Sequence, residues 1–171
     1  RLTAQRPGLR LATALSASIA DDARAMIAAE PALSGMIIAE TGECRDAFHA
    51  ADAALACSGT VTVELARIGV PTITAYRLGW MAWSVARLFL MKAKYISLAN
   101  LAADEMLIPE YVQTRCTGEK LASAVSALLD DAEKRAALSE QLRAVTDQMR
   151  GQDGSPSHNA AEAVLRLSAG A

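Results

Sequence analysis

The sequence has little of what small stapled proteins or charge-driven binders depend on. Its three cysteines, Cys44, Cys57 and Cys116, are odd in number and form no C-x-x-C pair. That argues against a disulfide framework or a cysteine zinc site, and a reducing cytoplasm is the simplest setting. Lysine and arginine total 17 against 19 acids, a net charge of −2, so no overall basic field is available to capture nucleic acid. The two histidines, His49 and His158, stand far apart. Neither has the Ser/Asp surroundings of a catalytic triad, and His49, beside Phe48 in a helical stretch, reads as structural. Aromatic residues make up only 4% of the chain, and most of the large ones crowd into one segment. Internal repeats, low-complexity tracts and a signal-peptide pattern are absent from the sequence. The chain begins at Arg1 rather than Met and is expected to be a piece of a longer protein.

What remains is ordinary globular material, 52% hydrophobic and 21% charged over 171 residues, enough for one core. Short apolar runs at 9–15, 36–39, 53–56, 71–76 and 95–98 read as strands, the run at 53–56 as a buried strand of small residues. Between them, 18–30, 43–51, 60–68 and 80–92 read as helices. Asp21 and Asp22 stand in the first turn of the earliest and Pro31 ends it. From Thr117 onward only helices are expected: one opening with Thr117 as its cap, a second over 132–150 after the Asp130-Asp131 break, and a last over 157–167 after a 151–156 loop. Strands alternating with helices every twenty to thirty residues predict an α/β fold, a doubly wound parallel sheet with C-terminal helices. Ligands of such sheets bind outside the carboxyl ends of the strands, which directs attention to the turn at Cys57-Ser58-Gly59-Thr60.

That turn contains a conflict. Thr60-Val61-Thr62-Val63 has the β-branched alternation of a strand, yet Ser58-Gly59-Thr60 before it and Glu64-Leu65-Ala66-Arg67 after it have the composition of a helix start. A helix N-terminus presents unpaired N–H groups and a partial positive charge. Gly59 would let an anion approach them, and Ser58 and Thr60 offer hydroxyls, either as caps or as ligand donors. Glu64, one turn beyond Thr60, could accept both hydroxyls of a ribose. Together these describe a nucleoside diphosphate lying across the helix start; the alternative is an ordinary capping step with a solvated glutamate. Cys57, at the end of an Ala-rich strand, is expected to be a small buried hydrophobe, although a thiol there can be acidified.

The run S-G-T-x-T-x-E-L-A-x-x-G-V-P-T followed by A-Y-R (residues 58–77) resembles the donor-side motif of the lipid-A-disaccharide synthase family. The resemblance continues through Lys94-Tyr95-Ile96-Ser97-Leu98-Ala99-Asn100-Leu101, similar to the family's P-Y-(I/V)-S-L-P-N-(L/I), and Ile108-Pro109-Glu110-Tyr111-Val112-Gln113, similar to V-P-E-L-(L/I)-Q. It covers about residues 50 to 115 well. It implies a Rossmann-like half of a GT-B glycosyltransferase, with residues 1–150 as an N-terminally truncated UDP donor domain and 151–171 as a loop and helix packing on the absent N-terminal domain. By carry-over, Ser58, Gly59 and Thr60 lie by the diphosphate, Glu64 by the ribose, and Asn100, Arg77 and Glu110 around the donor. The implied reaction transfers 2,3-diacylglucosamine from UDP to 2,3-diacylglucosamine 1-phosphate, without metal or other cofactor. The acceptor domain, where the family's catalytic carboxylate is placed, is missing here, as is the Gly-Ser-Arg loop opening the donor domain, so the catalytic residue stays unassigned and the chain is expected to be inactive alone. Ala99 departs from the family's proline and leaves the approach to Asn100 less rigid. Two other GT-B families, the peptidoglycan-precursor N-acetylglucosaminyltransferases and the UDP-N-acetylglucosamine 2-epimerases, share the Ser-Gly step and helix Glu but lack the Tyr95-to-Asn100 motif. A non-catalytic fragment that binds nucleotide or membrane is the remaining alternative, and a homodimer is left open.

Residues 78–92 hold both tryptophans, Trp80 and Trp83, with Met81, Phe89, Arg87 and Lys92. About fourteen mostly apolar residues are too few to cross a bilayer, which takes about 20. The mixture suits an interfacial helix or contact with substrate acyl chains, and equally a helix buried on the sheet. Lipid substrates would place the enzyme as a peripheral protein on the inner face of the bacterial inner membrane.

Overall fold

Alternation of short β-branched runs with Ala- and Leu-rich segments produces the expected succession of strands and helices. The computed structural model describes residues 2–40, 42–57, 59–79, 83, 94–150 and 155–169. Among them, in chain order, lie α1 (Leu2–Gln5), β1 (Ala12–Ala14), α2 (Ala20–Ala29), a 3-10 turn (Pro31–Leu33), β2 (Ile37–Ala39), α3 (Cys44–His49), β3 (Ala54–Ala56), α4 (Thr60–Ile68) and β4 (Thr72–Tyr76). Then follow α5 (Leu98–Ala103), β5 (Glu110–Val112), a second 3-10 turn (Gln113–Arg115), α6 (Gly118–Asp130), α7 (Ala132–Met149) and α8 (Pro156–Ala169). The strands pair only in parallel, as a two-stranded sheet β1-β2 and a three-stranded sheet β3-β4-β5. Parallel pairing requires a crossover between strands, and the helices supply it.

The sheet register fixes what can meet what. Ala54, Leu55 and Ala56 lie opposite Thr72, Ile73 and Thr74, and Thr74, Ala75 and Tyr76 lie opposite Glu110, Tyr111 and Val112. Ala56, Thr74 and Glu110 therefore stand on one line across the sheet and share a face, while Leu55 and Ile73 share the other. The core gathers Ala66 of α4, Ile73 of β4, Ala99 of α5, Leu107 and Ile108, Leu128 of α6, and Leu138 and Leu142 of α7. Helix α7 packs along α4 and against α5 and α6, and α6 packs on β4, so α6 and α7 lock onto the central unit.

Both ends of the secondary elements follow local chemistry. Thr117 caps α6 by accepting from the Lys120 N–H, and Asp131 caps α7 by accepting from the Lys134 N–H at 2.9 Å. Helix α4 closes in a Schellman motif, Val70 N–H to Leu65 O at 2.9 Å and Gly69 N–H to Ala66 O at 3.0 Å. Gly69 is left-handed there, at φ 79°, and Arg143 of α7 donates to the carbonyl of Ile68 just before it.

Several sequence expectations are corrected. Residues 95–98 do not form a strand: Ser97 is extended but leads directly into α5, and the last strand is Glu110–Val112. Tyr95 and Ser97 are buried while Leu98 is exposed, so the segment alternates as a strand does. Its N–H groups, however, are taken by the Glu110 carboxylate rather than by a neighbouring strand. Strand β3 is not a buried strand, since Leu55 is 53% exposed. Cys57 is exposed as well, because it lies just past β3, at the sheet edge. His49 ends α3 exposed, where it faces solvent rather than a core. The helix expected over 80–92 falls outside the described residues except at Trp83, whose backbone N–H donates to Gly79 O.

Candidate functional site

The helix start resolves in favour of α4 despite its β-branched residues. Thr62 is buried and turns its hydroxyl back onto the carbonyl of Gly59 at 2.7 Å, so that residue both fills the core and fastens the first turn. Thr60 and Glu64 are exposed on the opposite side, and Leu65 and Ala66 face inward. Gly59 caps the helix without a side-chain hydrogen bond, and a Cβ built on it would meet no atom of the described residues within 4 Å. Among the described residues the approach to the first turn of α4 is thus open, with Gly59, Thr60 and Glu64 all at the surface. Ser58 lies outside the described residues.

Around this turn stand the other carboxyl ends of the sheet. Arg77 follows β4 and is exposed. The chain beyond it is held by Gln113, just past β5, whose Oε1 accepts from the Leu78 N–H at 2.7 Å and whose Nε2 donates to Leu78 O at 3.2 Å. Gln113 adopts a left-handed backbone, φ 50°. Sequence reasoning gave this glutamine no role beyond its place in a motif. No local signal betrays a side chain that clamps a backbone 35 residues away.

Asn100 and Glu110 are placed differently from Glu64 and Arg77. Asn100 is fully buried. Its Oδ1 accepts from the Ile108 N–H at 2.8 Å, and its Nδ2 donates to Ile108 O at 2.7 Å and to Glu110 Oε1 at 2.9 Å. The Glu110 carboxylate also accepts from the N–H groups of Ile96 and of Ser97, the latter at 2.8 Å. These bonds tie the lead-in of α5 to β5, and α5 in turn packs on α4. The pair therefore braces the scaffold beside the α4 turn. The Ser97 hydroxyl is buried in the same place without a hydrogen-bond partner among the described residues.

Trp80, Met81, Arg87, Phe89 and Lys92 lie outside the described residues; Trp83 is half-buried. A cleft of about 430 Å³ lies elsewhere, on the face of the sheet opposite the Glu110 side chain, lined by Ile73, Leu107, Tyr111, Leu128, Lys134 and Leu138 among others. It contains none of the residues expected around the donor, and mere size gives it no chemistry. Among the described residues no group of three or more His, Cys, Asp or Glu is placed to hold a metal ion, and no helix is long and apolar enough to cross a membrane.

Parallel strands that feed helices, with a glycine-led helix start at their carboxyl edge, define a Rossmann-like α/β domain, consistent with one half of a GT-B fold. Comparison with known proteins makes the class specific. The family model for lipid-A-disaccharide synthetase matches residues 2–164, and the chain belongs to that family. The lipid-A-disaccharide synthase of Rhodospirillum centenum is 44% identical over 125 residues, 71% of this chain and 30% of the relative. That of Bradyrhizobium diazoefficiens is 42% identical over 139 residues, 81% of this chain and 35% of the relative. That of Pseudomonas aeruginosa is 36% identical over 168 residues, 98% of this chain and 42% of the relative. The chain thus spans well under half the length of these curated relatives. Membership also decides against the two other GT-B families that share the Ser-Gly step.

Proposed function

We propose that this chain is the donor-binding portion of a lipid-A-disaccharide synthase. In the reaction, a hydroxyl oxygen of 2,3-diacylglucosamine 1-phosphate attacks the anomeric carbon of UDP-2,3-diacylglucosamine. The bond from that carbon to the diphosphate breaks, its electron pair leaves with UDP, and the hydroxyl proton passes to a base outside this chain. Negative charge grows on the departing diphosphate. The first-turn N–H groups of α4 are fixed dipoles that meet such charge without reorganising, and Arg77 adds a cation. Thr60 and Ser58 donate to the phosphates, and Glu64 accepts from the ribose. Asn100 and Glu110 belong to the donor region, and their mutual bonds favour a part in shaping it over direct contact.

The observation that carries the reading is the exposure of Gly59, Thr60 and Glu64 together on the open first turns of α4, in a family whose relatives are named for this chemistry. Residues 1–150 form the donor domain. The segment 151–171 packs on the acceptor domain, as the 65–78% exposure of Val164, Leu165 and Leu167 on α8 favours. Residues 78–92 contact the membrane or substrate acyl chains, on the strength of their tryptophans and cations, and the protein works at the inner face of the inner membrane.

Titration with UDP, UDP-N-acetylglucosamine and ADP tests the donor site. The two uridine nucleotides should bind and ADP should not. Glu64→Ala should weaken UDP about 10- to 100-fold, the loss of a charge-assisted pair worth about 1.5–3 kcal/mol. It should leave stability unchanged, because Glu64 is exposed. Equal binding of ADP and UDP, or an unaffected Glu64→Ala variant, would refute the assignment.

A further inference from the structure

The hydrogen bonds between β4 and β5 outlast the two strands. The last paired residues are Tyr76 and Val112. Within the ladder the Thr74 N–H donates to Pro109 O at 2.9 Å, while on the other side of β4 the Ala54 N–H donates to Pro71 O at 2.9 Å. A strand alternates its hydrogen-bonding direction at every residue. Thr74 and Tyr76 are therefore turned to β5, and Ile73 and Ala75 to β3. Continued by the same rule, Arg77 is turned to the β3 side and Leu78 to the β5 side.

Regular parallel pairing would carry the Leu78 N–H to the backbone carbonyl of Gln113, and the Arg115 N–H to the Leu78 carbonyl. The chain does otherwise. Strand β5 ends at Val112, and the Gln113 carbonyl accepts from the Cys116 N–H at 3.0 Å as the 3-10 turn closes. The Gln113 side chain then supplies both partners that Leu78 would have lost. Its Oε1 accepts from the Leu78 N–H at 2.7 Å and its Nε2 donates to Leu78 O at 3.2 Å. A primary amide carries the same acceptor and donor as a peptide group, so it stands in for the backbone that has turned away.

Gln113 does this from a left-handed backbone, φ 50°, a region uncommon for residues other than glycine. Glycine would take that turn more readily but has no side chain. Asparagine also tolerates it and is one methylene shorter. A side chain kept in such a region points to a demand made by its surroundings. Here the demand concerns the end of β4. Pairing holds Tyr76 and the amide holds Leu78, so Arg77, exposed between them, is fixed at both flanks. Its peptide N–H faces the β3 side, from which Gly59 opens α4.

We infer that Gln113 is a positioning residue for the donor diphosphate: its side-chain amide extends β4 by one rung and so sets Arg77 beside the first turn of α4. Gln113 itself touches no ligand. The inference rests on the donor-site reading and deepens it, since it says how an exposed arginine at an open strand end keeps its place. A cation already in position stabilises the departing diphosphate without reorganising as charge develops. Without the clamp the chain is loose beyond Tyr76, and ordering it on each binding event lowers affinity.

The test is a double-mutant cycle in the whole chain, with UDP as the ligand. Gln113→Met keeps the length of the side chain and removes its hydrogen bonds; Arg77→Ala removes the cation; the third variant carries both. Backbone order at Arg77 and Leu78 is read by nuclear magnetic relaxation, with order parameters of about 0.85 expected in the parent and below about 0.6 in Gln113→Met. Each single change should weaken UDP about 10-fold. In the Arg77→Ala background, Gln113→Met should matter less than about 2-fold, because the residue it positions is gone. A merely structural role would weaken UDP equally in both backgrounds. Should Gln113→Met fail to fold, Gln113→Asn takes its place in the cycle: it suits the left-handed backbone, falls a methylene short of Leu78, and should show the same losses. Unchanged order at Arg77 and Leu78, unchanged UDP affinity, or equal losses in both backgrounds would each overturn the inference and leave the donor site standing. A parent that does not bind UDP, or an Arg77→Ala variant that binds it as well as the parent, would sink the donor-site reading and this inference with it.

Discussion

Replacing Asn100 with alanine separates two roles that its position allows. The side chain makes three hydrogen bonds in a fully buried setting, two to the backbone of Ile108 and one to Glu110. Alanine leaves the Ile108 N–H and C=O without these partners; the Glu110 carboxylate keeps the N–H groups of Ile96 and Ser97. Two orphaned buried groups at about 1–3 kcal/mol each give an expected loss of roughly 3–5 kcal/mol, a large part of the 5–15 kcal/mol that typically holds a domain together. In urea, with a slope of about 2 kcal/mol/M, the midpoint should fall by about 2 M at unchanged slope. Asn100→Asp keeps the shape and sharpens the test. Its carboxylate would sit about 3 Å from that of Glu110, and two like charges so close retain a proton between them. The folded state then holds a proton that the unfolded chain has released, so the deficit should grow as pH rises and shrink in acid. A midpoint shift below about 0.5 M for Asn100→Ala, with UDP affinity lost instead, would show that the residue serves the ligand and not the brace.

Two further perturbations follow from the geometry. Gly69→Ala forces a Cβ into a left-handed position, 2.6 Å from Arg143 Nε and against the Ser139 hydroxyl; about 1–2 kcal/mol of strain should appear as a lowered thermal midpoint, and an unchanged midpoint would refute the Schellman closure. The Arg6 guanidinium, by hydrogen bonding above all, holds the Asp130 carboxyl below its usual range. A depressed carboxyl contributes stability above its unfolded pKa that is lost as pH falls through the folded value. Thermal midpoints of the parent chain and Asp130→Asn should therefore differ at pH 7 and converge in acid; a gap that widens in acid would show that the pair does not form.

The helix start at Thr60 could be read from the chain because its boundary signals, a glycine before and an apolar face after, outweigh the poor helix propensity of Val61 and Thr62. The Thr117 cap was legible for the same reason, since a cap acts within three residues; Asp131 reads only as part of a break between helices. The segment 95–98 misled because burial alternates along it as in a strand, yet its hydrogen-bond partner is one side chain, Glu110, fourteen residues away. Strand β5, Glu110-Tyr111-Val112, was hidden behind that error, because the segment 95–98 reads as the last strand of the sheet. Of the candidate site, the sequence offered Gly59, Thr60 and Glu64 by their spacing, whereas the burial of Asn100 and the clamp of Gln113 on Leu78 depend on contacts no window of sequence contains.

By itself the sequence determined the alternation of strands and helices, the Thr117 cap, and the family to which its three motifs point. These are local properties, set by propensity, by periodicity and by residues a few positions apart. Only the tertiary structure decided that Asn100 and Glu110 brace one another, that Gln113 fixes the turn after β4, and that the described strands pair as two parallel sheets, β1-β2 and β3-β4-β5. Such facts depend on segments tens of residues apart arriving at one place, and burial and hydrogen-bond satisfaction are settled there, not along the chain.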